Sequence, residues 1–495
     1  MKPVKVMVAN RGEIAIRVLR ACRELGLASV AVYTEVDEAA LHVRYADEAV
    51  ALGDRGGYLD VLRVVEAARK CGATAVHPGY GFLSENPDFA RAIEAAGITF
   101  VGPRPETVAM MGDKLAARRF SRKAGQPVIA GTDQPLPEQM PVEMARQVQY
   151  PVLVKAAAGG GGRGIRLARN PDELPSMIEA ARREAKSAFG DDTVFLESLV
   201  QQARHIEVQI LGDGDGNVVC LGERECSIQR RRQKLIEEAP ASGIAPELRD
   251  QIHAAALALG RALHYRSLGT VEFLLDKKDR FYFIEVNPRI QVEHPVTELV
   301  TAVDLVKAQL TIALGEPMAD YPEQITPRGA AIEARILAED TQAGFLPSTG
   351  QIQYLKEPGG PGIRVDSALY QGMNVGGEYD SLLAKLIAWG ETRAVAIQRL
   401  RRALNEFQIG GLSTDIDFIL QIIDSPKFLS GDVTTTYLET FEPVQVSTEP
   451  ELERDLAVAA AMFAHRQRGP EPAAQVRQGS YWQMAAWREQ MNNNG

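Results

Sequence analysis

The sequence predicts an α/β fold with a parallel sheet in its first domain and antiparallel strands further along the chain. An apolar run at residues 4–8 is followed by apolar residues at helical spacing (Ile14, Val18, Leu25) and then by the β-rich run ASVAVYT. This strand–helix–strand order is typical of a parallel βαβ unit. After residue 330, strand patterns alternate with Pro/Gly turns such as EPGGPG, which predicts antiparallel pairing.

Composition limits the class of protein. A chain of 495 residues is long enough for about three domains. Its net charge of −10 argues against a general nucleic-acid binder, because phosphate binding is driven by basic charge. There is no long apolar run and no signal-peptide pattern, so we expect a cytoplasmic protein that neither spans a membrane nor is secreted. The cysteines lack metal-ligand spacing and are expected to be reduced thiols.

Four segments follow from the order of these patterns. Strand patterns DEAVAL, ATAVHPG and ITFVGP, with a helix over 61–70, complete a first domain over 1–112. No G-x-G-x-x-G follows its first strand, so a dinucleotide site is not predicted. A helix over 113–123 opens a second domain, 113–330, which contains a smaller unit over about 130–205. A third domain over 331–445 and a helical tail over 446–495, with Trp482 and Trp487, complete the chain.

The glycine stretch KAAAGGGGRG, residues 155–164, joins two predicted strands. Consecutive glycines allow backbone N–H groups to close on a polyanion and allow the loop to move. It is not a Walker loop, because Gly164 is followed by Ile165. We interpret it as a flexible hairpin lid, the alternative being a hairpin without function. Lys155 and Lys114 are candidates for neutralising phosphates.

A row of polar residues occupies every second position of FIEVNPRIQVEHPVTE, residues 283–298. Its members are Glu285, Asn287, Arg289, Gln291 and Glu293. In an extended chain these side chains share one face. A solvated edge strand is one explanation. The apolar residues before the row favour a strand that enters the core, where polar groups need partners such as a metal and a substrate.

A predicted hairpin brings two carboxylates together. TVEFLLDKKDRFYFIEVN, with a tight turn near Lys278–Asp279, places Glu272 opposite Glu285 on one face, and Asn287 follows on that face. Such oxygen ligands suit Mg²⁺ held jointly with nucleotide phosphates. Glu333 is a weaker candidate for a third carboxylate. The segment DGDGN, 213–217, lacks the later ligands of a calcium loop and is interpreted as a turn.

The basic run QRRRQK, Gln229 to Lys234, is either a solvated face or a site for a small anion. Acidic residues flank it, so it does not predict a nucleic-acid surface.

Together these segments resemble a known family. ANRGEIA, HPGYGFLSENPDFA, MGDK, KAAAGGGGRG, RHIEVQIL, FYFIEVNPRIQVEHPVTE and EYDSLLAKL occur in order over about residues 1–440 and resemble biotin carboxylase, an enzyme of the ATP-grasp family. The resemblance implies an ATP-grasp fold with a Rossmann-like N-terminal domain, a mobile lid and a C-terminal α+β domain. It implies an ATP-dependent, ADP-forming ligase that carboxylates biotin with bicarbonate through carboxyphosphate.

The resemblance also implies a role for each matching position. ATP would contact Lys114, Lys155, Gly160, Gly161, Gly162, Gly164, Glu197, the Val200 backbone, His205, Gln229 and Glu272. Mg²⁺ or Mn²⁺ would be held by Glu272, Glu285 and Asn287. Bicarbonate would be bound by Arg289, Gln291 and the Val292 backbone, contacted by Lys234 and deprotonated by Glu293. Arg335 would stabilise the biotin enolate, and Tyr80 would lie beside the biotin ring.

Three positions depart from the family pattern. Arg232 stands where the family commonly has His, and Ser198 where it often has Lys, so we expect nucleotide affinity to be affected rather than activity. Pro361 replaces an aromatic residue that can precede a dimer-contact arginine, which weakens the expectation of a dimer.

Partners follow from what the chain lacks. It has no Ala/Val-Met-Lys-Met biotinylation sequence, so biotin would arrive on a separate carrier protein and a carboxyltransferase subunit would use it. We expect the first half-reaction of acetyl-CoA carboxylase, in fatty acid biosynthesis, over that of propionyl-CoA or pyruvate carboxylase. A homodimer would use Arg17, Arg20, Glu24, Arg364 and Asp380. The tail would either dock a partner subunit or fold back on the body.

Two alternatives remain. One is another ATP-grasp ligase that joins a carboxylate to an amine, against which the row from Arg289 to Glu293 argues. The other is a nucleotide-binding regulatory subunit without activity, against which the complete set of expected catalytic positions argues.

Overall fold

The computed structural model describes residues 4–138, 149–158, 164–318, 321–323, 325–444, 454–455 and 457–462. Contacts divide the chain into a body, Met1–Pro443, and a C-terminal unit, Val444–Gly495. In the C-terminal unit, residues 454–455 and 457–462 are helical, inside the predicted tail helix. Trp482 and Trp487 lie outside the described residues.

The first region is a layer of parallel strands with helices, as predicted. Its strands are β1 (Lys5–Val8), β2 (Ala28–Tyr33), β3 (Glu48–Ala51), β4 (Ala75–His77) and β5 (Thr99–Phe100). Its helices are α1 (Gly12–Glu24), α2 (Leu41–Tyr45), α3 (Val61–Lys70), α4 (Pro87–Ala95) and α5 (Pro105–Gly112). The sheet order is β3-β2-β1-β4-β5, and every pair is parallel. The apolar face of α1 therefore packs on β1 through Ile14, Val18 and Cys22.

A second region holds a small antiparallel sheet. Its elements are α6 (Lys114–Lys123), β6 (Val152–Ala156), β7 (Ile165–Ala168), α7 (Leu174–Phe189) and β8 (Val194–Ser198). Asp113 is the N-cap of helix α6, and its carboxylate accepts hydrogen bonds from the amide N–H groups of Leu115 and Ala116. Strands β6 and β7 pair antiparallel on either side of the glycine stretch, as the hairpin interpretation expects. Gly160, Gly161 and Gly162 lie outside the described residues.

The largest sheet and the remaining elements complete the body. Its next elements are β9 (Arg204–Asp213), β10 (Val218–Arg230), β11 (Gln233–Ala239), α8 (Pro246–Ala262), β12 (Arg266–Leu275), β13 (Phe281–Asn287), α9 (His294–Thr301), α10 (Leu305–Ala313) and β14 (Ala330–Leu337). After them come β15 (Glu339–Asp340), β16 (Leu346–Pro347), β17 (Gly350–Gln351), β18 (Tyr354–Lys356), β19 (Ile363–Ser367), β20 (Asn374–Val375), β21 (Leu382–Gly390), α11 (Arg393–Glu406), β22 (Gln408–Gly410), α12 (Ile416–Asp424) and α13 (Pro426–Ser430).

Eight of these strands form one antiparallel sheet in the order β13-β12-β9-β10-β11-β14-β21-β19. Along β9, apolar Ile206, Val208 and Ile210 face a core that includes α8. The alternate positions, His205, Glu207 and Gln209, therefore face the opposite side, since successive side chains of a strand alternate. The sheet thus has an apolar face and, along its central strands, a polar one.

The predicted pair Glu272–Glu285 is confirmed, although by a different route. The loop covers residues 277–279, with Asp279 at φ 57°, and shifts the pairing by one residue, so that Leu275 lies opposite Phe281. A bulge between Glu272 and Phe273 restores the expected register at Glu285.

The prediction of one extended polar row is wrong beyond Asn287. Strand β13 ends there, Pro288 follows, and residues 288–293 form a loop that leads into α9. The path of the loop, rather than strand alternation, therefore sets the positions of Arg289, Gln291 and Glu293. The DGDGN segment is a turn between β9 and β10, as predicted, with Asp215 and Asn217 amides donating to the Asp213 carboxylate.

None of the helices in the described part of the chain is both long and apolar enough to cross a membrane.

Helix α8 is joined to β10 by a buried ion cluster. The Glu223 carboxylate accepts from His253 Nε2 at 2.6 Å and from Arg249 Nε at 2.8 Å. Burial disfavours the charged imidazole, but its hydrogen bonds to Cys220 and Glu223 outweigh burial and raise the pKa of His253 to about 10. The imidazolium therefore stabilises the folded state below pH 6.5 in full, and this stabilisation is lost as the pH rises towards 10.

We therefore expect His253→Gln to lower the stability of the protein by about 1–3 kcal/mol at pH 6 and by progressively less as the pH approaches 10. Urea unfolding of both proteins at pH 6, 8 and 10 measures the difference. A difference that stays constant or grows with pH would contradict the assignment.

Candidate active site

The polar face of the large sheet carries four ionisable residues in one line across four strands. Glu285 of β13 lies opposite Glu272 of β12, Glu272 opposite Glu207 of β9, and Glu207 opposite Arg224 of β10. Directly opposed residues on neighbouring strands share a face. Three carboxylates therefore lie side by side, and two of them, Glu207 and Glu272, are buried. Such an arrangement needs cations, because like charges at this spacing repel one another.

Lys234, at the start of β11, provides the central cation. Its Nζ donates to Glu207 Oε2 at 2.5 Å, to Glu293 Oε1 at 2.6 Å and to Glu272 Oε1 at 3.1 Å. Burial opposes the charge, but attraction to these three carboxylates raises the pKa of Lys234 well above its ordinary value. The ammonium is therefore charged and joins the carboxylates of three separate chain segments.

Glu293 lies between two cations. Its Oε1 accepts from Lys234, and its Oε2 accepts from Arg335 Nη2 at 2.9 Å. Burial alone would raise the pKa of Glu293, but Lys234, Arg335 and Arg224 hold it well below the ordinary value. Arg335 also donates through Nε to Glu237 at 2.6 Å. Burial raises the pKa of Glu237 to about 7, although Arg335 opposes this rise.

The loop of residues 288–293 forms a hydrogen-bonded unit. Arg289 donates to Gln291 Oε1 at 2.7 Å, to Asn287 Oδ1 at 3.1 Å and to Glu85 at 2.6 Å. Asn287 Nδ2 in turn donates to Glu272 Oε1 at 2.9 Å. The predicted anion-binding residues are thus linked by direct contacts to the predicted metal ligands.

Residues predicted to contact the nucleotide form two groups. His205 Nε2 lies 2.9 Å from Glu272 Oε2, and the amide nitrogen of Gln229 lies 2.7 Å from His205 Nδ1. Burial opposes protonation, but Glu272 raises the pKa of His205.

In the second group, Lys155 Nζ donates to Glu197 at 2.7 Å on the small sheet. Val200 follows β8, and Gly164, at φ 70°, precedes β7.

Lys114 and Tyr80 reach the site from the first half of the chain. Lys114 Nζ donates to Glu285 Oε2 at 3.2 Å. Burial opposes its charge, but Glu285 outweighs burial and raises the pKa of Lys114. The hydroxyl of half-buried Tyr80 donates to the Glu13 carboxylate.

Glu333 does not join the carboxylates of the predicted metal site. It lies on β14, four strands from Glu272 on β12, which corresponds to roughly 19 Å across a sheet. Its neighbours on the flanking strands are Glu237 and Ile387. Burial raises the pKa of Glu333 well above the ordinary value.

Glu207 and Arg224, which complete the central line, were not predicted from the sequence. Both are buried, and Arg224 Nε donates to Glu207 Oε1 at 2.5 Å. The signal was present in RHIEVQIL, where His205, Glu207 and Gln209 alternate with apolar residues in the same way as the row that begins at Glu285. Glu237, Lys385 and Glu85 were also overlooked, and they contact the site from distant segments.

The carboxylate and amide oxygens of the predicted ligands suit a hard divalent cation, whereas the imidazole and thiol that lie nearby are softer ligands. The side-chain ligand atoms of His205, Glu207 and Glu272 lie within 4.8 Å of one another, and those of Glu207, Cys226 and Glu293 do so as well. Of the predicted ligands, Glu272 and Glu285 offer carboxylate oxygens from opposed positions. Asn287 points its nitrogen at Glu272, so ligation would require the reversed orientation of its amide, which exchanges two groups of equal size.

The departures from the family pattern lie at the edges of this site. Arg232, at φ 67° in the turn between β10 and β11, lies 3.5 Å from the carbonyl oxygen of Ile165 on β7. Ser198 is the last residue of β8. Neither residue belongs to the line of carboxylates or to the contacts of Lys234.

Three protein-family profiles match the chain in order. They are described as the biotin carboxylase N-terminal domain, over residues 2–108, the ATP-binding domain of the carbamoyl-phosphate synthase L chain, over 113–321, and the biotin carboxylase C-terminal domain, over 333–440.

Curated relatives match over nearly the whole body. A biotin carboxylase of Nostoc sp. is 49% identical over 443 residues, which cover 89% of this chain and 99% of the relative. Biotin carboxylase 1 of Bacillus subtilis is 47% identical over 443 residues, which cover 88% of this chain and 98% of the relative.

A solved structure agrees with the fold. The biotin carboxylase domain dimer of the Hydrogenobacter thermophilus 2-oxoglutarate carboxylase, in complex with MgADP, ADP and bicarbonate, is 47% identical to this chain. The two structures superpose with a TM-score of 0.86 over 89% of this chain and 99% of that one.

We expect Lys234→Met to destabilise the protein by about 3–5 kcal/mol, because it leaves Glu207, Glu272 and Glu293 without their shared cation. Adding Glu207→Gln should restore part of the loss, since one uncompensated charge is removed. Urea unfolding at pH 7 compares the variants, with Lys278→Met, an exposed lysine in the β12–β13 loop, as the control. Equal midpoints for Lys234→Met and the control would contradict this account.

Proposed function

The chain belongs to the biotin carboxylase family of ATP-dependent ligases, and on that premise we propose that it carboxylates biotin carried on a separate protein, with bicarbonate as the carbon source. The observation that carries this proposal is the position of Glu293. A buried carboxylate held between Lys234 and Arg335 is suited to take a proton from one substrate while the two cations receive negative charge from others.

The nucleotide would lie between the small sheet and the polar face of the large sheet. Lys155, Glu197, the Val200 backbone, His205, Gln229 and the glycine stretch are its proposed contacts. Glu272, Glu285 and Asn287 would hold Mg²⁺, which neutralises charge on the phosphates during transfer. Lys114 contacts Glu285 at 3.2 Å, so its ammonium is close enough to bind the same phosphates.

Bicarbonate would bind at the loop of residues 288–293, through Arg289, Gln291 and the Val292 backbone. Arg289 is already held by Gln291, Asn287 and Glu85, so its guanidinium is fixed before an anion arrives. A fixed donor avoids the entropic cost of ordering a flexible side chain during the reaction. An oxygen of bicarbonate would attack the γ-phosphate and give carboxyphosphate and ADP.

Glu293 becomes a competent base only when its cations are drawn away. In the structure, Lys234 and Arg335 hold its pKa well below the ordinary value, and such a carboxylate is a weak base. Substrate anions compete for the same cations: phosphate and bicarbonate for Lys234, and the developing biotin enolate for Arg335. Binding of the anions would therefore raise the pKa of Glu293 at the point in the cycle when a proton has to be removed.

Biotin would bind beside Tyr80 and Arg335. Carboxyphosphate would release CO₂ and phosphate in the closed site, and phosphate would remove the N1 proton of biotin. Arg335 would then stabilise the enolate that captures CO₂. Closure of the unit over about 130–205 would exclude water, which otherwise hydrolyses the intermediate.

The assembly belongs to the same proposal. We propose a homodimer through the face that carries Arg17, Arg20, Glu24 and Arg364, which line a surface cavity of about 370 Å³, because the Hydrogenobacter thermophilus relative is a dimer. Asp380, the remaining proposed contact, is not among the lining residues.

We further propose that the chain works in the cytoplasm with two partners, a carrier protein and a carboxyltransferase, and that acetyl-CoA is the final acceptor. Carboxyl transfer to acetyl-CoA, propionyl-CoA and pyruvate by proteins that co-purify with the chain would decide the acceptor.

We expect the purified chain with Mg²⁺ to cleave ATP in a reaction that needs bicarbonate and is accelerated by free biotin. Glu293→Gln should lower this rate by about 10²–10⁴-fold, because the proton acceptor is lost. Phosphate release measures the rate, and Glu247→Gln, an exposed change on α8, is the matched control. Cleavage that needs another carboxylate and no biotin would support the rival ligase, and binding of ATP without turnover would support a regulatory role.

A further inference from the structure

Lys385 is a fully buried lysine on β21. Its neighbours across the two flanking strands are Arg335 on β14 and Asp366 on β19. All three side chains therefore lie on one face of the sheet, in line with the Arg335 guanidinium that contacts Glu293. This line lies under α9, which packs across β14 and β21 and begins directly after Glu293.

The ammonium of Lys385 reaches the anion-binding loop. Its Nζ donates to the carbonyl oxygen of Val292 at 2.9 Å. That carbonyl belongs to the peptide that joins Val292 to Glu293, so the contact fixes the backbone immediately before the proposed base. A backbone carbonyl held by a buried cation has little freedom to rotate, because rotation would leave both polar groups without a partner.

The same ammonium also reaches the Tyr80 side of the site. Its Nζ lies 3.2 Å from Glu13 Oε1, the oxygen that accepts from the Tyr80 hydroxyl. Asp366 lies further away, at 3.8 Å. Tyr80, Glu13, Lys385 and Val292 thus form a continuous chain of contacts from the proposed biotin pocket to the proposed bicarbonate loop.

A stabilising role alone is a poor explanation for this lysine. Burial opposes its charge, and the pKa of Lys385 is raised only because Glu13, Glu333 and Asp366 surround it. Replacing a whole buried ionic cluster with apolar side chains is often neutral or stabilising, so stability does not explain why the cluster is present, although removing Lys385 alone would leave Glu13 and Asp366 without this cation. The ammonium fixes the carbonyl oxygen of Val292 and the carboxylate of Glu13 relative to each other.

We propose that Lys385 is a positioning residue that fixes the Val292–Glu293 peptide and, through Glu13, the Tyr80 hydroxyl in one arrangement. This inference rests on the proposed function, because the proposed function places biotin at the Tyr80 end of the contact chain and bicarbonate at the Val292 end. Lys385 touches neither ligand and acts through Val292 and Glu13. Loss of Lys385 should therefore raise the KM for bicarbonate and the KM for biotin, while the nucleotide contacts around Lys155 and His205 are unaffected.

The test compares Lys385→Met, which has similar length and no charge, with the unmodified chain. We expect the KM for bicarbonate and the KM for biotin each to rise by about tenfold or more, because small displacements of reacting groups carry large kinetic costs. The KM for MgATP should stay within about twofold of its original value, as expected for a positioning role. Arg249→Met is the matched control: it removes a cation from buried Glu223, whose other described partners are His253 and the Ala241 amide.

Glu13→Gln is the second variant, and it serves if Lys385→Met does not fold. It keeps the shape of the side chain and weakens its attraction for Lys385 and Tyr80, so the KM for biotin should rise more than the KM for bicarbonate. Equal rises in all three KM values, or no rise in a folded Lys385→Met protein, would overturn the inference. An unmodified chain without bicarbonate- and biotin-dependent ATP cleavage would instead refute the proposed function.

Discussion

The ammonium of Lys234 among three buried carboxylates is the interaction on which the rest of the site depends. Glu207, Glu272 and Glu293 come from β9, from β12 and from the loop before α9, and only this cation contacts all three among the described residues. Without it, three negative charges would share a region from which water is largely excluded, at a high electrostatic cost. Arg224 and Arg335 flank the group, so the whole cluster is held by alternating charge.

The alternation of side chains along each strand of the large sheet makes this arrangement possible. Side chains alternate between two faces, so one set of strands can bury Ile206, Val208 and Ile210 against α8 and present Glu207 and Gln209 on the other side. Antiparallel registration then aligns single polar positions of neighbouring strands into a line. The apolar face packs in the core, and the polar face carries the groups that we propose for binding and proton transfer.

Features of the fold and of the site that depend on neighbouring residues in the sequence could be predicted from it. The parallel first sheet, the Asp113 start of α6 and the Glu272–Glu285 pair all follow from patterns of a few residues, although that pair depends on a loop shift and a bulge that cancel each other. The polar row failed after Asn287, because an alternating pattern does not distinguish a strand from a loop. Glu207, Glu237 and Lys385 act through partners distant in sequence, and their contacts follow from sheet order, which no short motif records.

We propose that substrate anions raise the pKa of Glu293, the proposed base. The Glu293 pKa is low in the structure because two cations touch the carboxylate, and both cations are proposed to turn to substrate anions during the reaction. The most direct test is a titration of the Glu293 carboxyl by ¹³C NMR, assigned by comparison with Glu293→Gln, without ligands and with MgADP and bicarbonate. We predict a pKa well below that of an ordinary glutamate in the free protein and a clear rise when the ligands bind. An ordinary pKa in the free protein, or one that the ligands leave unchanged, would contradict it.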